Sequence, residues 1–194
     1  MPTSAQEEPE PTPGGSDAAR NLVHRGPVFG VRQVNYQDGE GRDVRKEFIE
    51  HPGAITVIPE ESDGTILMVR VGRISVRRFL LEFCAGKLEP GEDPAEAAAR
   101  ELEEEVGRQA GEVRALGSYL TSPGCSDERI HAFHARELTE IPTRLEAGEE
   151  IDVVSMSPDR IDDMIASGEI DDGKTIAAWF LFRQRASSSD GPPS

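Results

Sequence analysis

Carboxylates at short, repeated spacing stand out in this chain. Glu101, Glu104 and Glu105 fall at i, i+3 and i+4 within Arg100-Glu-Leu-Glu-Glu-Glu-Val-Gly107. On a helix those positions share one face. Three like charges held that close repel one another unless a cation lies among them. Mg²⁺ or Mn²⁺ suits that place, because hard cations prefer oxygen ligands and keep positions open for water and phosphate. Arg100, one residue ahead of the run, is placed to pair with or orient one of the acids. Upstream, Gly86-Lys-Leu-Glu-Pro-Gly91 forms a loop whose glycines let the backbone approach closely. A bare Glu-x-x-Glu-Glu run is common on solvated helix faces. The fixed spacing from Gly86 through Glu92 to Gly107 is what gives this one chemical meaning.

Those acids need a helix behind a loop, and the sequence supplies both. Asp93 is an N-cap, Pro94 stands at the first helical position and Glu96 three residues after the cap completes a capping box. The helix is expected to end near Val106, with Gly107 in its C-terminal turn. A short apolar strand, Phe79 to Cys84, leads into the Gly86 loop. Further strands are expected at Val28 to Tyr36, Val44 to Ile49, Ala54 to Pro59, Thr65 to Arg70, Val113 to Thr121, Ile130 to Arg136 and Ile151 to Met156. Two hairpin signals, Asp38-Gly-Glu-Gly41 and Asp63-Gly64, join the early strands. A second helix is capped by Ser157 and Pro158 and closed by Gly168. A third runs from about Lys174 to Arg185, with Ile176, Trp179 and Phe180 on one face. Many strands with one helix in mid-chain and two near the end describe an α+β protein, with helices around a mixed sheet.

Composition narrows the class. The chain has 194 residues and a formal net charge of -16, so one domain with a small accessory layer is expected. Duplex nucleic acid is excluded as a direct partner, since phosphate backbones are bound by cationic patches. No segment approaches the roughly 18 apolar residues of a membrane span, and the N-terminus has no signal-peptide pattern. The two cysteines, Cys84 and Cys125, read as free thiols in a reducing cytosol, so the expected location is cytoplasmic. Neither has a visible base partner for nucleophilic work. His24, His51, His131 and His134 read as structural, the last two falling on opposite faces of one strand. Residues 1–20 and 186–194 are rich in Pro, Ser, Gly and Glu or Asp and read as disordered tails. Residues 21–53 form an N-terminal strand layer and 54–185 the main domain.

The spacing Gly-x5-Glu-x7-Arg-Glu-x2-Glu-Glu-x-Gly from Gly86 to Gly107 resembles the Nudix box. The one departure is Arg108, where the box carries an aliphatic residue. The resemblance implies a Nudix hydrolase: an α/β/α sandwich with a mixed sheet, here preceded by an N-terminal antiparallel strand layer, cutting a nucleoside diphosphate linked to another moiety. It implies Glu101, Glu104 and Glu105 as metal ligands, Arg100 as orienter of the carboxylates and Glu92 as support of the loop. Leu80-Leu-Glu-Phe-Cys-Ala-Gly86 is similar to the approach to the box in ADP-ribose pyrophosphatases, which implies the Ala85 carbonyl as a further metal ligand and Glu82 as a substrate contact. Cys84 stands where many of those enzymes have Pro. Thr121-Ser-Pro-Gly-Cys-Ser-Asp-Glu128 resembles another of their segments and adds Pro123 to the substrate contacts. Val71-Gly72-Arg73 stands in place of their Gln-Tyr-Arg, so only the arginine remains. Arg73 and Arg45 are the candidates for the substrate's base or phosphates.

The implied reaction is Mg²⁺- or Mn²⁺-dependent cleavage of ADP-ribose, or a related ADP-sugar, to AMP and a sugar phosphate. The resemblance places the general base, and with it a metal contact, in the loop Leu145-Glu-Ala-Gly-Glu-Glu150: Glu149 first, then Glu150 and Glu146. It implies a homodimer built by the N-terminal strands. Two other readings stay open: a hydrolase of another nucleoside diphosphate derivative, and a catalytically silent domain that senses ADP-ribose and regulates a partner.

Overall fold

A computed structural model of the protein describes residues 20–145 and 150–189. Two compact units divide the chain. One holds residues 20–51 with Gly124–Asp127, the other Pro52–Pro123 with the residues from Glu128 onward.

The first unit is an antiparallel sheet in the order β1 (Arg20–Arg25), β2 (Gly30–Gln37), β3 (Asp43–Glu50). The expected hairpin turn forms at Asp38. Its Oδ1 accepts the Glu40 and Arg42 amides at 2.9 and 3.0 Å, and the Gly41 amide donates to its carbonyl at 2.9 Å. Gly124–Asp127 runs along β3: Ile49 donates to the Cys125 carbonyl at 2.8 Å, and Asp127 Oδ1 accepts the His51 amide at 2.8 Å. β1 escapes the sequence reading, and Arg20, counted there with the tail, opens it. All six residues are exposed, so no alternation of polar and apolar side chains announces a strand.

In the second unit, β4 (Ala54–Pro59), β7 (Cys84–Lys87), β8 (Arg108–Leu120) and β9 (Arg129–Glu140) form a mixed sheet in the order β7-β4-β9-β8, with β4 and β9 parallel. β5 (Ile66–Arg73), β6 (Arg78–Glu82) and β10 (Ile151–Met156) form an antiparallel sheet in the order β10-β5-β6. Period-two alternation divides the buried side chains between two cores. Ile55, Val57, Leu67 and Val69 pack with Ala97, Ala98, Leu102 and Val106 from the central helix. Ile58, Ile66 and Met68 pack with Ile161, Met164, Ala178 and Trp179 from the two late helices, α2 (Pro158–Ser167) and α3 (Gly173–Ser189). The strands are therefore buried on both faces, which is the expected α+β sandwich of helices around a mixed sheet. Trp179 packs in the second of these cores, and its indole N–H donates to Asp162 at 2.6 Å. Phe180, expected on the same face, is exposed. α3 also continues past Arg185 to Ser189.

One expected strand is two. Phe79 to Cys84 divides at Phe83 into β6 and β7, which belong to different sheets. Phe83 is fully buried, and its amide donates to the Thr175 hydroxyl at 3.2 Å instead of to a strand. No helix among the described residues is long and apolar enough to cross a membrane.

Candidate active site

The central helix, α1 (Pro94–Glu101), starts as its sequence requires: Asp93 Oδ1 accepts the Ala95 and Glu96 amides at 2.8 and 3.4 Å. It then widens. Leu102–Val106 is a π-helical turn, closed by the Gly107 amide on the Leu102 carbonyl. Such widened turns occur frequently at functional sites. Glu103, Glu104 and Glu105 all lie in it, so the acids do not keep the regular α-helical spacing assumed from sequence.

Arg100 sits among the acids. Its Nε and Nη2 donate to the two oxygens of Glu92 at 2.9 and 3.2 Å, and its Nη1 donates to Glu101 Oε1 at 2.9 Å and Glu104 Oε2 at 3.2 Å. The hydrogen bond to Glu92 raises the already high pKa of Arg100 further, and in return Arg100 holds the Glu92 carboxyl below the usual carboxylate range. Glu105 turns the other way, its Oε2 accepting the Ala85 amide at 3.2 Å. The Cys84 thiol lies beside it. Burial, then the Glu105 charge and hydrogen bond, push that thiol well above its ordinary pKa, which fits an inert sulfhydryl.

The Gly86 loop touches this turn. A Cβ added at Gly86 would lie 1.8 Å from Glu101 Oε1, so only glycine leaves room for that carboxylate. A second segment binds the turn from the opposite end. The Arg144 amide donates to the Glu104 carbonyl at 3.0 Å and the Ile141 amide to the Gly107 carbonyl at 3.0 Å. Arg144 also pairs with Glu103 at 3.4 Å. Gly107 is left-handed (φ 66°), and a Cβ there would lie 2.7 Å from the Ile141 carbonyl oxygen and 2.9 Å from Thr143 Cγ2. Arg108, the departure from the box, pairs with Glu61 at 3.0 Å.

The donor set suits a hard divalent cation: several carboxylates around a single guanidinium, against a backbone cradle that a side chain would fill. As placed, no three His, Cys, Asp or Glu side chains among the described residues converge on one point; Glu101 and Glu104 face Arg100 and Glu105 faces Ala85. Glu101, Glu104 and Glu105 with the Ala85 backbone are the groups that would hold the metal.

The remaining expected site residues divide. Arg73 and Glu82 meet as a bidentate pair, Nε to Oε1 at 2.8 Å and Nη2 to Oε2 at 2.6 Å. The guanidinium also feels the charge of Glu105. Glu82 is buried. Pro123 is exposed in the turn between β8 and β9. Arg45 lies in the first unit and pairs with Glu47 at 2.6 Å. Glu150 is exposed, while Glu149 and Glu146 lie outside the described residues. The sequence reading missed Arg144, Lys174 and Asp172. Asp172 had a signal: it precedes Gly173-Lys-Thr175 as a helix-capping acid does, and its Oδ2 accepts the Thr175 amide at 3.0 Å.

Comparison with known proteins agrees with this geometry. The NUDIX domain profile matches residues 50–179. The chain is 33% identical over 162 residues to the ADP-ribose pyrophosphatase of Bacillus subtilis (strain 168), spanning 82% of this chain and 88% of the relative. It is 38% identical over 167 residues to the methanol dehydrogenase activator of Bacillus methanolicus, spanning 82% and 90%. It is 33% identical over 163 residues to the GDP-mannose pyrophosphatase of Salmonella choleraesuis (strain SC-B67), spanning 76% and 84%. A solved structure of an ADP compounds hydrolase superposes with a TM-score of 0.78 at 22% identity, covering 89% of this chain and 94% of that one. The box residues, the sandwich that carries them and these similarities agree: the chain belongs to the Nudix family, as a hydrolase of the pyrophosphatase kind.

Proposed function

We propose that the protein hydrolyses the pyrophosphate bond of ADP-ribose, or of a closely related ADP-sugar, to AMP and a sugar phosphate, with Mg²⁺ or Mn²⁺ as cofactor. One observation carries the reading: Glu101 at the end of α1 and Glu104 and Glu105 on the widened turn that follows it lie against the Ala85–Gly86 backbone. The similarity to an ADP-ribose pyrophosphatase over most of both chains supports the adenine nucleotide.

When bound, the metal neutralises phosphate oxygens and lowers the pKa of a water for attack. The chain's own residues do the rest. Arg100 keeps Glu101 and Glu104 turned toward each other. The Ala85 amide fixes Glu105. Arg73, held flat by Glu82, offers its guanidinium to a phosphate oxygen. A glutamate of the loop before β10, Glu149 first and Glu150 next, takes the proton of the attacking water. The N-terminal strands of residues 21–53 make a homodimer, and the protein works in the cytoplasm.

The test is a panel of ADP-ribose, ADP-mannose, GDP-mannose and dinucleoside polyphosphates with Mg²⁺, run on material of known sedimentation mass. ADP-ribose should be among the best substrates of a two-chain species. A clear preference for GDP-mannose would overturn the adenine assignment, and a single-chain mass would overturn the dimer. A second reading, a regulator that binds ADP-ribose without cutting it, is favoured by the similarity to the methanol dehydrogenase activator. Absence of turnover across the panel, with ADP-ribose still bound, would establish it.

A further inference from the structure

Next to the motif turn, Arg73 and Glu82 belong to a larger set of charges that also takes in Lys174 and Asp172. Glu82 is 1% exposed and is gripped from two sides. Arg73 donates to both of its oxygens, and Lys174 Nζ hydrogen-bonds its Oε2. Lys174 also donates to Asp172 Oδ2 at 2.9 Å. Burial pushes the Asp172 carboxyl up, but the Lys174 charge and the Thr175 hydrogen bonds outweigh it and leave the group below its usual range. The Thr175 hydroxyl donates to Asp172 at 2.6 Å and accepts the Phe83 amide at 3.2 Å, at the residue where the chain leaves β6 for β7. The Tyr119 hydroxyl donates to the Lys174 carbonyl at 2.7 Å.

A carboxylate this buried must be compensated, and loss of its partner is strongly unfavourable. One cation would match it in number, yet two are present, and they differ in exposure. The Lys174 side chain is 16% exposed and has acids for both partners; that of Arg73 is 41% exposed and faces the Glu105 side of the site. Among the described residues the Arg73 side chain hydrogen-bonds to Glu82 alone, from Nε and Nη2, which leaves Nη1 for an outside oxygen. A phosphate oxygen that draws on Arg73 weakens its hold on Glu82. With Arg73 as sole partner, that would strand a buried charge.

On the pyrophosphatase reading above, we propose that Lys174 is a positioning residue. It neutralises Glu82 from the interior side, so that Arg73 can be shared with a phosphate of the substrate, while Asp172 keeps the charge of Lys174 itself paired. Lys174 acts on substrate binding through Glu82 and Arg73, without touching the substrate.

A double-mutant cycle tests this. In K174M, Arg73 is drawn wholly onto Glu82, and KM for ADP-ribose should rise about tenfold with a smaller change in kcat, the size expected for one charged hydrogen bond. In an E82Q background, where no buried charge is left to neutralise, the same change should add less than about twofold, since the route through Glu82 is already cut. An unchanged KM in K174M, or two effects that simply multiply, would overturn the proposal. Should K174M fail to fold by circular dichroism, K174Q takes its place in the same cycle with the same outcomes. Calorimetric titration of inorganic pyrophosphate with Mg²⁺ gives a readout that needs no turnover. Pyrophosphate binding that follows the cycle in an enzyme inactive on the whole substrate panel would support the role of Lys174 while removing the hydrolase reading. Wild-type enzyme that binds no pyrophosphate and whose KM ignores K174M would remove the role of Lys174.

Discussion

Two charge clusters flank the same short stretch of chain, residues 82–86, and they are built on opposite plans. Around Arg100, one guanidinium faces Glu92, Glu101 and Glu104, with Glu105 turned to a backbone amide nearby. Around Glu82, two acids meet two cations, Arg73 and Lys174 against Glu82 and Asp172. The first cluster is over-supplied with negative charge and partly open. The second is balanced, with Glu82 closed off from solvent and Arg73 open at its edge. The difference teaches how to separate a site suited to a cation from one suited to an anion. Unbalanced carboxylates beside a tight backbone cradle attract an incoming cation, whereas charges already balanced from within leave an edge guanidinium free to meet a phosphate.

The comparison breaks most visibly if one acid of the unbalanced cluster is neutralised. Glu105→Gln removes charge where the proposed function places the metal. Hydrolysis should fall on the order of 10²–10³-fold, as for loss of a single preorganised electrostatic contact, with little change in the thermal unfolding midpoint. Turnover within a few-fold of wild type would remove Glu105 from the metal set. Mn²⁺ binding, followed by electron paramagnetic resonance, should weaken in parallel.

A second change probes the backbone that shapes the unbalanced cluster. Gly107→Ala places a Cβ against the Ile141 carbonyl and Thr143 at a left-handed residue. It should destabilise the fold by about 1–3 kcal/mol in urea unfolding and also lower metal affinity, because the Arg144 amide bonds the Glu104 carbonyl. Lost stability with intact metal affinity would uncouple that segment from the acids.

The smallest effect is the dependence on pH. Arg100 holds the Glu92 carboxyl below its ordinary value of 4.5. Its stabilisation is therefore fully present above that value and lost as pH falls through the lower, folded-state pKa. Wild type should exceed Glu92→Gln in unfolding midpoint at pH 7, and the gap should close toward pH 3. A gap that persists in acid would mean that Glu92 acts through packing and not through its charge.

Much of this was legible in the sequence where local chemistry decides structure. Ala54–Pro59, Ile151–Met156 and the Ser157-capped helix closed by Gly168 form at their expected bounds, because short β-branched runs, caps and turn residues are local signals. The acids and Arg100 were legible for a different reason: their spacing is a motif. What the sequence hides is non-local. Lys174 meets Glu82 across 92 positions and Arg144 reaches Glu103 across 41. No periodicity reports such pairs. The π-helical turn was hidden too, since Leu102–Val106 would read equally well as one more α-helical turn, and the widening comes with Gly107 and the segment laid across it. β1 was missed because an exposed strand has no hydrophobic pattern to display.

Gly86, in β7 rather than in the loop expected from sequence, and Gly91, in the turn that follows, carry the same letter yet answer to different constraints. Gly86 is a matter of volume: the Glu101 carboxylate occupies the place of any first carbon. Gly91 is a matter of handedness: its φ is +81° and nothing lies within 4 Å of a Cβ there. Asparagine, which tolerates left-handed torsions, is therefore an admissible replacement at 91, whereas any side chain at 86 displaces the Glu101 carboxylate from its place. One of the two glycines keeps a carboxylate where it stands, and the other only keeps a turn.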